Sequence, residues 1–408
     1  MVIRAGCGLA DKLRLFPRLD VESLERAAGR AMGRPGHRDP EARAALTAII
    51  RSIDEDLDFI GQGRLLMGSR FKDILVQRAW IRDREAAGQL VDLQPTASPL
   101  VITGFPRSGT TLAHRILALA SDARFPTWAE CAEPALDPRL DRATGVSRRL
   151  RKYQRIRRVS DVLSPRLCSI HELVPDGPEE CTQFHELAFN SESMALTGPC
   201  RTYHDWLDDR DEDDLRERYR WQDLAMRSIL FDRPEVERQG RWVLKAPQHQ
   251  IQLDQLFELM PDAKVIRMHR EPKAAMASVA SLVEHASIML NRRPNREDLE
   301  NGEDLLDIFS NWQDRGDQGV DRHAKSVMEV RYDDLVANPI RFVERVHEFA
   351  GISLGQDHRV AVEHHLQQRP QHHFGRHRYE LERYGLSDQD IAEVTEKHLT
   401  RLKTIPRL

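Results

Sequence analysis

Leu100-Val101-Ile102-Thr103-Gly104-Phe105-Pro106-Arg107-Ser108-Gly109-Thr110-Thr111-Leu112 opens as a short apolar run and passes through a turn bounded by two glycines. It continues into Ala113-His114-Arg115-Ile116-Leu117-Ala118-Leu119, which has helical spacing. A strand that turns directly into a helix gathers successive backbone N–H groups at the positive end of the helix dipole. Such a junction is a concave anion site that needs no metal. The plainer alternative is an ordinary glycine turn ahead of a helix.

The interval from Gly104 to Gly109 is that of a P-loop, G-x-x-x-x-G-K-[ST], but Thr110 stands at the lysine position and the cation comes earlier, at Arg107. In loops that hydrolyse nucleoside triphosphates that lysine reaches the β- and γ-phosphates, and the next hydroxyl helps to hold Mg²⁺. Its absence argues against a triphosphate. The string P-[KR]-[ST]-G-T-[TS], here Pro106 to Thr111, resembles the loop of sulfotransferases. The resemblance implies that Arg107, Ser108, Gly109, Thr110 and Thr111 bind the 5′-phosphosulfate end of 3′-phosphoadenylyl sulfate (PAPS).

Lys264-Val265-Ile266-Arg267-Met268-His269-Arg270 alternates as a strand does, and Glu271-Pro272 starts a helix with proline in its first turn. Arg270 then sits at the carboxyl end of a strand, where open α/β sheets bind ligands. Ser278 follows two turns into the helix among the small residues Ala274, Ala275, Ala277 and Ala280. A guanidinium fork plus a hydroxyl suits a terminal phosphate. In sulfotransferases an arginine and a serine at this separation grip the 3′-phosphate of the donor, so the resemblance assigns Arg270 and Ser278 to it. A surface ion pair with Glu271 is the alternative for Arg270.

Further strings extend the resemblance, which spans roughly Pro99 to Leu386. Trp242-Val243-Leu244-Lys245-Ala246-Pro247-Gln248-His249 reads as a buried strand ending in a polar turn and resembles an L-K-[TS]-P-x-H element, with Ala246 departing from it. His249 would take the acceptor's proton and Lys245 would add positive charge near the donor. Pro178-Glu179-Glu180-Cys181 resembles a P-E-E element on the acceptor side, which makes Glu179 and Glu180 rival bases; acidic residues at a helix start are the alternative. Val330-Arg331-Tyr332-Asp333-Asp334-Leu335 resembles a string whose tyrosine contacts the adenine, so Tyr332 is a candidate for that pocket. The ending His377 to Leu386 resembles that of bacterial members, and Arg376, His377 and Arg378 are candidates to close over the 3′-phosphate. Trp128, in Pro126-Thr127-Trp128-Ala129-Glu130, would wall the pocket or fill the core.

The expected fold is α/β: a P-loop-type, mostly parallel sheet flanked by helices, with an N-terminal helical extension and helical insertions. Residues 1–95 form the extension, with helices over 21–31, 42–57 and 71–87, and residues 96–408 form the main domain. Composition suits an enzyme with a large core: 408 residues, 40% of them hydrophobic. A net charge of −4 excludes a general nucleic-acid binder. The basic run from Arg148 to Arg158 is a solvated helix face, or steers an anionic ligand, or touches an anionic membrane surface.

No apolar stretch reaches the length of a membrane span and no signal-peptide core opens the chain, so a cytoplasmic protein is expected. The five cysteines, Cys7, Cys131, Cys168, Cys181 and Cys200, form no C-x-x-C pair and read as reduced thiols. His364, His365, His372, His373 and His377 match no metal-ligand spacing, and His171-Glu172 lacks the second histidine of H-E-x-x-H. No metal is expected. The activity expected is in-line transfer of a sulfuryl group from PAPS to a hydroxyl or amine of a small-molecule, lipid or glycan acceptor. A P-loop kinase using ATP and Mg²⁺, and a non-catalytic scaffold binding PAPS or adenosine 3′,5′-bisphosphate, are the alternatives.

Overall fold

The computed structural model describes residues 19–93, 97–163, 172–198, 200–291, 302–368 and 381–408. Cys7, Cys168, His171, His372, His373, Arg376, His377 and Arg378 lie outside the described residues. Five strands make the sheet: β1 (Ala97–Thr103), β2 (Ala123–Arg124), β3 (Arg241–Lys245), β4 (Lys264–His269) and β5 (Val327–Arg331). They lie in the order β2-β3-β1-β4-β5, each parallel to its neighbours. Ile102 of β1 is aligned with Lys245 of β3 on one side and Ile266 of β4 on the other. The chain thus passes from one flank of β1 to the other between β3 and β4, and a crevice opens at their carboxyl ends.

The principal helices are α1 (Val21–Met32), α2 (Arg43–Glu55), α3 (Gly61–Ala86), α4 (Thr110–Leu117), α5 (Arg142–Leu163), α6 (Glu212–Asp232), α7 (Pro272–Leu290), α8 (Gly302–Arg322), α9 (Pro339–Ala350) and α10 (Asp388–Thr404). Strand side chains alternate between two faces, and both are apolar, as a covered parallel sheet requires. Val101, Leu244, Val265 and Val327 join a cluster with Leu24, Ile49, Phe71 and Ile81 of α1 to α3 and Leu224 of α6. Leu100, Ile102, Val243 and Ile266 join Ala113 and Ile116 of α4 and Phe342 and Val346 of α9 on the opposite face. The N-terminal helices therefore share a core with the sheet.

Glycines set two close approaches between helices and their neighbours. Helix α3 starts at Gly61, ahead of the expected start at Phe71; Gly61, Gly63 and Gly68 interrupt the apolar period of its first turns, so the pattern does not reveal them as helical. A Cβ on Gly63 would stand 2.2 Å from the Leu290 carbonyl oxygen, so only glycine lets α3 meet the end of α7. On α8, Gly316 leaves room for Arg267, where a Cβ would come within 2.7 Å of the guanidinium. Arg267 is fully buried in β4 and bonds Asp317 at 2.5 Å and the Gln313 side chain at 2.8 Å, which fastens α8 across the sheet.

Several histidines are built in as neutral groups. His114 on α4 lies 3.0 Å through Nε2 from the Val243 carbonyl and seats the helix on β3. Burial, aided by the charge of Lys245, pushes its pKa down to about 3. His185 and His398 are likewise pushed to about 3, first by burial. A fold that depresses a histidine pKa is fully stable above the unfolded value, near ~6.5, and loses that stability as pH falls toward the folded value. Glu329, which burial alone would raise, is taken down to about 2 by hydrogen bonds from His269 and Arg401, so it adds to the loss in the same direction at lower pH. Thermal unfolding between pH 7 and 4 is expected to show a steadily falling midpoint. His114→Gln should shallow that slope; an unchanged slope would remove His114 as a contributor. Gly63→Ala is expected to lower stability by about 1–3 kcal/mol in denaturant titration, the usual cost of forcing atoms into a filled contact.

Candidate active site

The loop after β1 is shaped by three residues with positive φ: Gly104 at 139°, Arg107 at 71° and Gly109 at 97°. A Cβ on Gly104 would fall 2.3 Å from the Met268 carbonyl oxygen of β4, and one on Gly109 would fall 2.6 Å from the Tyr332 ring. Both glycines are thus fixed by packing as well as by φ. Arg107 takes the left-handed conformation that non-glycine residues avoid, a strain typical of ligand-binding turns. Gly109 is the N-cap of α4 and no side chain caps the first N–H groups of that helix. Those groups face the turn. The Ser108 hydroxyl is buried and has no hydrogen-bond partner among the described residues. Open N–H groups and an orphaned hydroxyl in a cradle that excludes side chains fit a bound phosphate or sulfate.

Arg270, Ser278 and Tyr332, far apart in the chain, meet at this loop. Arg270 Nη1 donates to the Arg107 carbonyl at 3.0 Å, and Arg107 Nε donates to Ser278 Oγ at 3.0 Å. The Arg270 guanidinium lies 4.5 Å over the Tyr332 ring, a cation–π contact that holds it flat above the end of β5. Glu271 caps α7 by accepting from the N–H groups of Lys273 (3.0 Å) and Ala274 (2.8 Å), so the helix bearing Ser278 starts immediately after Arg270.

Across the crevice, the segment from Pro178 to Cys181 runs against the end of β3. Glu179 N–H donates to the Pro126 carbonyl at 3.0 Å, and Cys181 N–H to the Lys245 carbonyl at 3.0 Å. Glu179 is nearly buried and accepts from the Glu180 N–H at 2.8 Å. Glu180 extends into the cavity and pairs with the Lys245 ammonium, which is itself 3.5 Å from Thr111 Oγ1. One contact thereby ties the β3 lysine, the acidic segment and the anion loop together.

His249 does not join this group. Its ring is fully buried and does not line the cavity. Nδ1 lies 2.8 Å from the Tyr219 hydroxyl and Nε2 lies 3.0 Å from Cys181 Sγ. Burial raises the Tyr219 hydroxyl well above its usual range and takes the Cys181 thiol to about 12, so both keep their protons. The consistent chain is Tyr219 O–H to Nδ1, Nε2–H to Cys181, and the thiol to the Lys245 carbonyl at 3.3 Å. Burial, with His185 adding repulsion, holds His249 well below the usual histidine range. An acceptor hydroxyl cannot reach it without displacing Tyr219 or Cys181. These contacts tie the ring to α6 and to the segment that carries Glu180. Trp128 also turns inward, packing edge-on against Tyr153 with ring centroids 5.1 Å apart.

Arg107, Gly109, Thr110, Thr111, Glu179, Glu180, Arg270 and Tyr332 line one cavity of about 1120 Å³, with Ser108, Ser278 and Lys245 directly behind that wall. Beyond Glu180 the cavity continues between Leu207, Ile251, Val279, Leu282, Val283, Leu305, Ile308 and Trp312. Polar and charged residues line it as well, among them His204, Asp208, Arg218, Asp304 and Asn311, and two polar residues, Gln252 and Arg315, are set apart by their lack of partners among the described residues. Gln252 lines the cavity at 1% exposure, and neither side-chain amide atom is hydrogen-bonded among the described residues. Arg315 lines it with no hydrogen bond or ion pair among the described residues, and burial lowers its pKa from the usual arginine range. The available signal for both was indirect: a glutamine between a strand-end turn and a helix, and an arginine on the apolar face of α8.

The profile of the sulfotransferase family matches residues 99–356. The omega-hydroxy-beta-dihydromenaquinone-9 sulfotransferases Stf3 of Mycobacterium bovis and Mycobacterium tuberculosis are each 22% identical over 307 residues, 74% of this chain and 74% of theirs. Sulfotransferase STF9 of Mycobacterium avium superposes with a TM-score of 0.80 at 21% identity, covering 95% of this chain and 97% of that one. STF1 of M. tuberculosis H37Rv gives 0.75 at 24% identity over 92% and 98%. The two solved structures establish a shared fold, and the family match over most of the chain, which starts within β1 and spans the loop and strand ends described above, makes this protein a member of the sulfotransferase family, a PAPS-dependent enzyme of sulfuryl transfer.

Proposed function

We propose that this sulfotransferase moves the sulfuryl group of PAPS onto a hydroxyl of an amphiphilic small molecule, with Glu180 as the general base. The observation that carries the proposal is the single cavity in which the anion loop, Arg270 and the Glu180 carboxylate converge. PAPS supplies an activated sulfuryl group on a 5′-phosphate leaving group. The N–H groups from Ser108 to Thr111 and the Arg107 guanidinium hold that end and stabilise charge growing on the bridging oxygen. Such preorganised donors are worth several kcal/mol, roughly 10²–10³ in rate. Arg270 and Ser278 flank Arg107 and are assigned to the 3′-phosphate, and Tyr332, under Arg270, to the edge of the adenine site.

Glu180 takes the acceptor proton as the new S–O bond forms, and Lys245 orients it through their ion pair. The apolar walls favour an acceptor with a hydrocarbon body, and Gln252 and Arg315 favour one that also carries hydrogen-bond acceptors or an anionic group. The named substrate class of the Stf3 relatives, a menaquinone derivative, is compatible with such a pocket. Among the described residues no helix is long and apolar enough to cross a membrane. The buried thiols of Cys131 and Cys181, which form no disulfide among the described residues, support assignment to the reducing cytoplasm.

Titration calorimetry with adenosine 3′,5′-bisphosphate tests the donor site. Binding is expected to be tighter than that of ATP with Mg²⁺ and to weaken by about 10–100-fold in Arg270→Ala, the value of a charge-assisted contact. Preference for ATP would overturn the donor assignment. Arg107→Ala should cut turnover by at least about 100-fold with the unfolding midpoint retained. Glu180→Gln should cut it by about 10²–10⁴ while bisphosphate binding stays near wild type. Near-normal turnover in Glu180→Gln would return the base to another group, and binding without transfer to any acceptor in a broad panel would make the protein a scaffold. Gln252→Leu is expected to raise the acceptor KM more than it lowers kcat, and an unchanged KM would place Gln252 outside the acceptor contacts.

A further inference from the structure

The basic run on α5 divides into two sets with different environments. Arg148, Arg149, Lys152 and Arg157 are engaged with the protein, through Asp137 (3.0 Å), the Glu133 carbonyl (2.9 Å), Asp73 (2.9 Å) and Asp161 (2.9 Å) respectively. Arg151, Arg155 and Arg158 are exposed and make no hydrogen bond or ion pair among the described residues. Their spacing of four and three residues aligns them on one face of the helix, and Val162, four residues on, continues that face.

Val162 is 80% exposed and Val159, beside it, 56%. Ser160 of the same turns lines the cavity, as does Arg70 of α3. One turn before Arg70, Leu65 and Leu66 are 50% and 43% exposed. Exposed aliphatic side chains thus stand on two helices that also line the cavity, and one of these helices carries three exposed arginines without a partner among the described residues, in a chain whose net charge is −4.

We propose that this face is a docking surface for an anionic lipid bilayer. Arginines at such a surface bind phosphate headgroups while their stems and neighbouring aliphatic side chains enter the interface. A soluble polyanion would be recognised by the arginines alone and gives no role to Val159, Val162, Leu65 and Leu66. The bilayer accounts for both kinds of residue. Docking there brings the cavity wall formed by Ser160 and Arg70 to the lipid surface, so an amphiphilic acceptor passes from membrane to cavity with little exposure to water. The inference rests on the surface residues and is read without turnover, so failure of the proposed acceptor class leaves its test intact.

The test is co-sedimentation of the full chain with phosphatidylcholine vesicles, with and without phosphatidylglycerol as roughly a third of the lipid. Binding is expected only to the anionic vesicles and is expected to fall as salt is added. R151Q/R155Q/R158Q should weaken it by about 100-fold, since each arginine at the surface contributes roughly fivefold. V159S/V162S should weaken it at unchanged charge. Adenosine 3′,5′-bisphosphate affinity should be unaltered in both variants, which reports an intact fold and donor site. Absence of wild-type binding to anionic vesicles, equal binding to neutral ones, or retention of full binding by the triple variant would overturn the proposal. So would capture by heparin without capture by vesicles, which would assign the arginines to a polyanion.

Discussion

Two positions in the anion loop must carry no side chain, and much of the site follows from that. At Gly104 the backbone runs against the Met268 carbonyl of β4, and at Gly109 against the ring of Tyr332. These approaches press the loop into the crevice beside β1 and leave its N–H groups as the surface of the cavity floor. They also bring the Arg107 carbonyl to Arg270, so the arginine at the end of β4 is held by the loop it serves. Any Cβ at either position would push the loop away from β4 or from Tyr332 and so loosen the cluster of Arg107, Arg270 and Ser278.

Charge is handled in the same economical way around the crevice. Lys245 is 2% exposed, a burial that an unpaired ammonium would not tolerate, and Glu180 compensates it by direct contact at the cavity wall. Arg267 is buried completely and compensated by Asp317 and Gln313 of α8. The first pair stands at the cavity and the second within the frame. The difference is solvent access: Glu180 lines the cavity, whereas the Arg267 network lies beneath the helix that forms its wall.

The parts of the site that could be read in the sequence are those determined locally. A glycine-bounded turn, a strand-end arginine and a serine on the next helix are set by backbone geometry over a few residues, and the structure brings them into contact. His249 could not be read in this way. Its position after β3 was evident, but its environment depends on Tyr219 of α6 and on Cys181, which are distant in the chain. Gln252 and Arg315 were hidden for a related reason, since an unsatisfied side chain is a property of its surroundings. The parallel sheet was legible from alternating strands and helices, while the start of α3 was obscured by glycines whose purpose is contact with a helix more than two hundred residues later.

The family match ends at residue 356, and the fold's own requirements do not. Phe105, inside the anion loop, packs edge-on against Phe309 with centroids 4.8 Å apart, in a cluster completed by Tyr384, Leu386 and Ile391 near the C-terminus. The opposite side of the sheet is covered by α1 to α3. As a module for gene fusion or domain transplantation, the segment defined by family likeness is therefore too short. Cut at those boundaries, it would present Val101, Leu244 and Val265 to water on one side and lose the buttress of the loop on the other. The transplantable unit is set by what covers the sheet, and it includes both flanking regions.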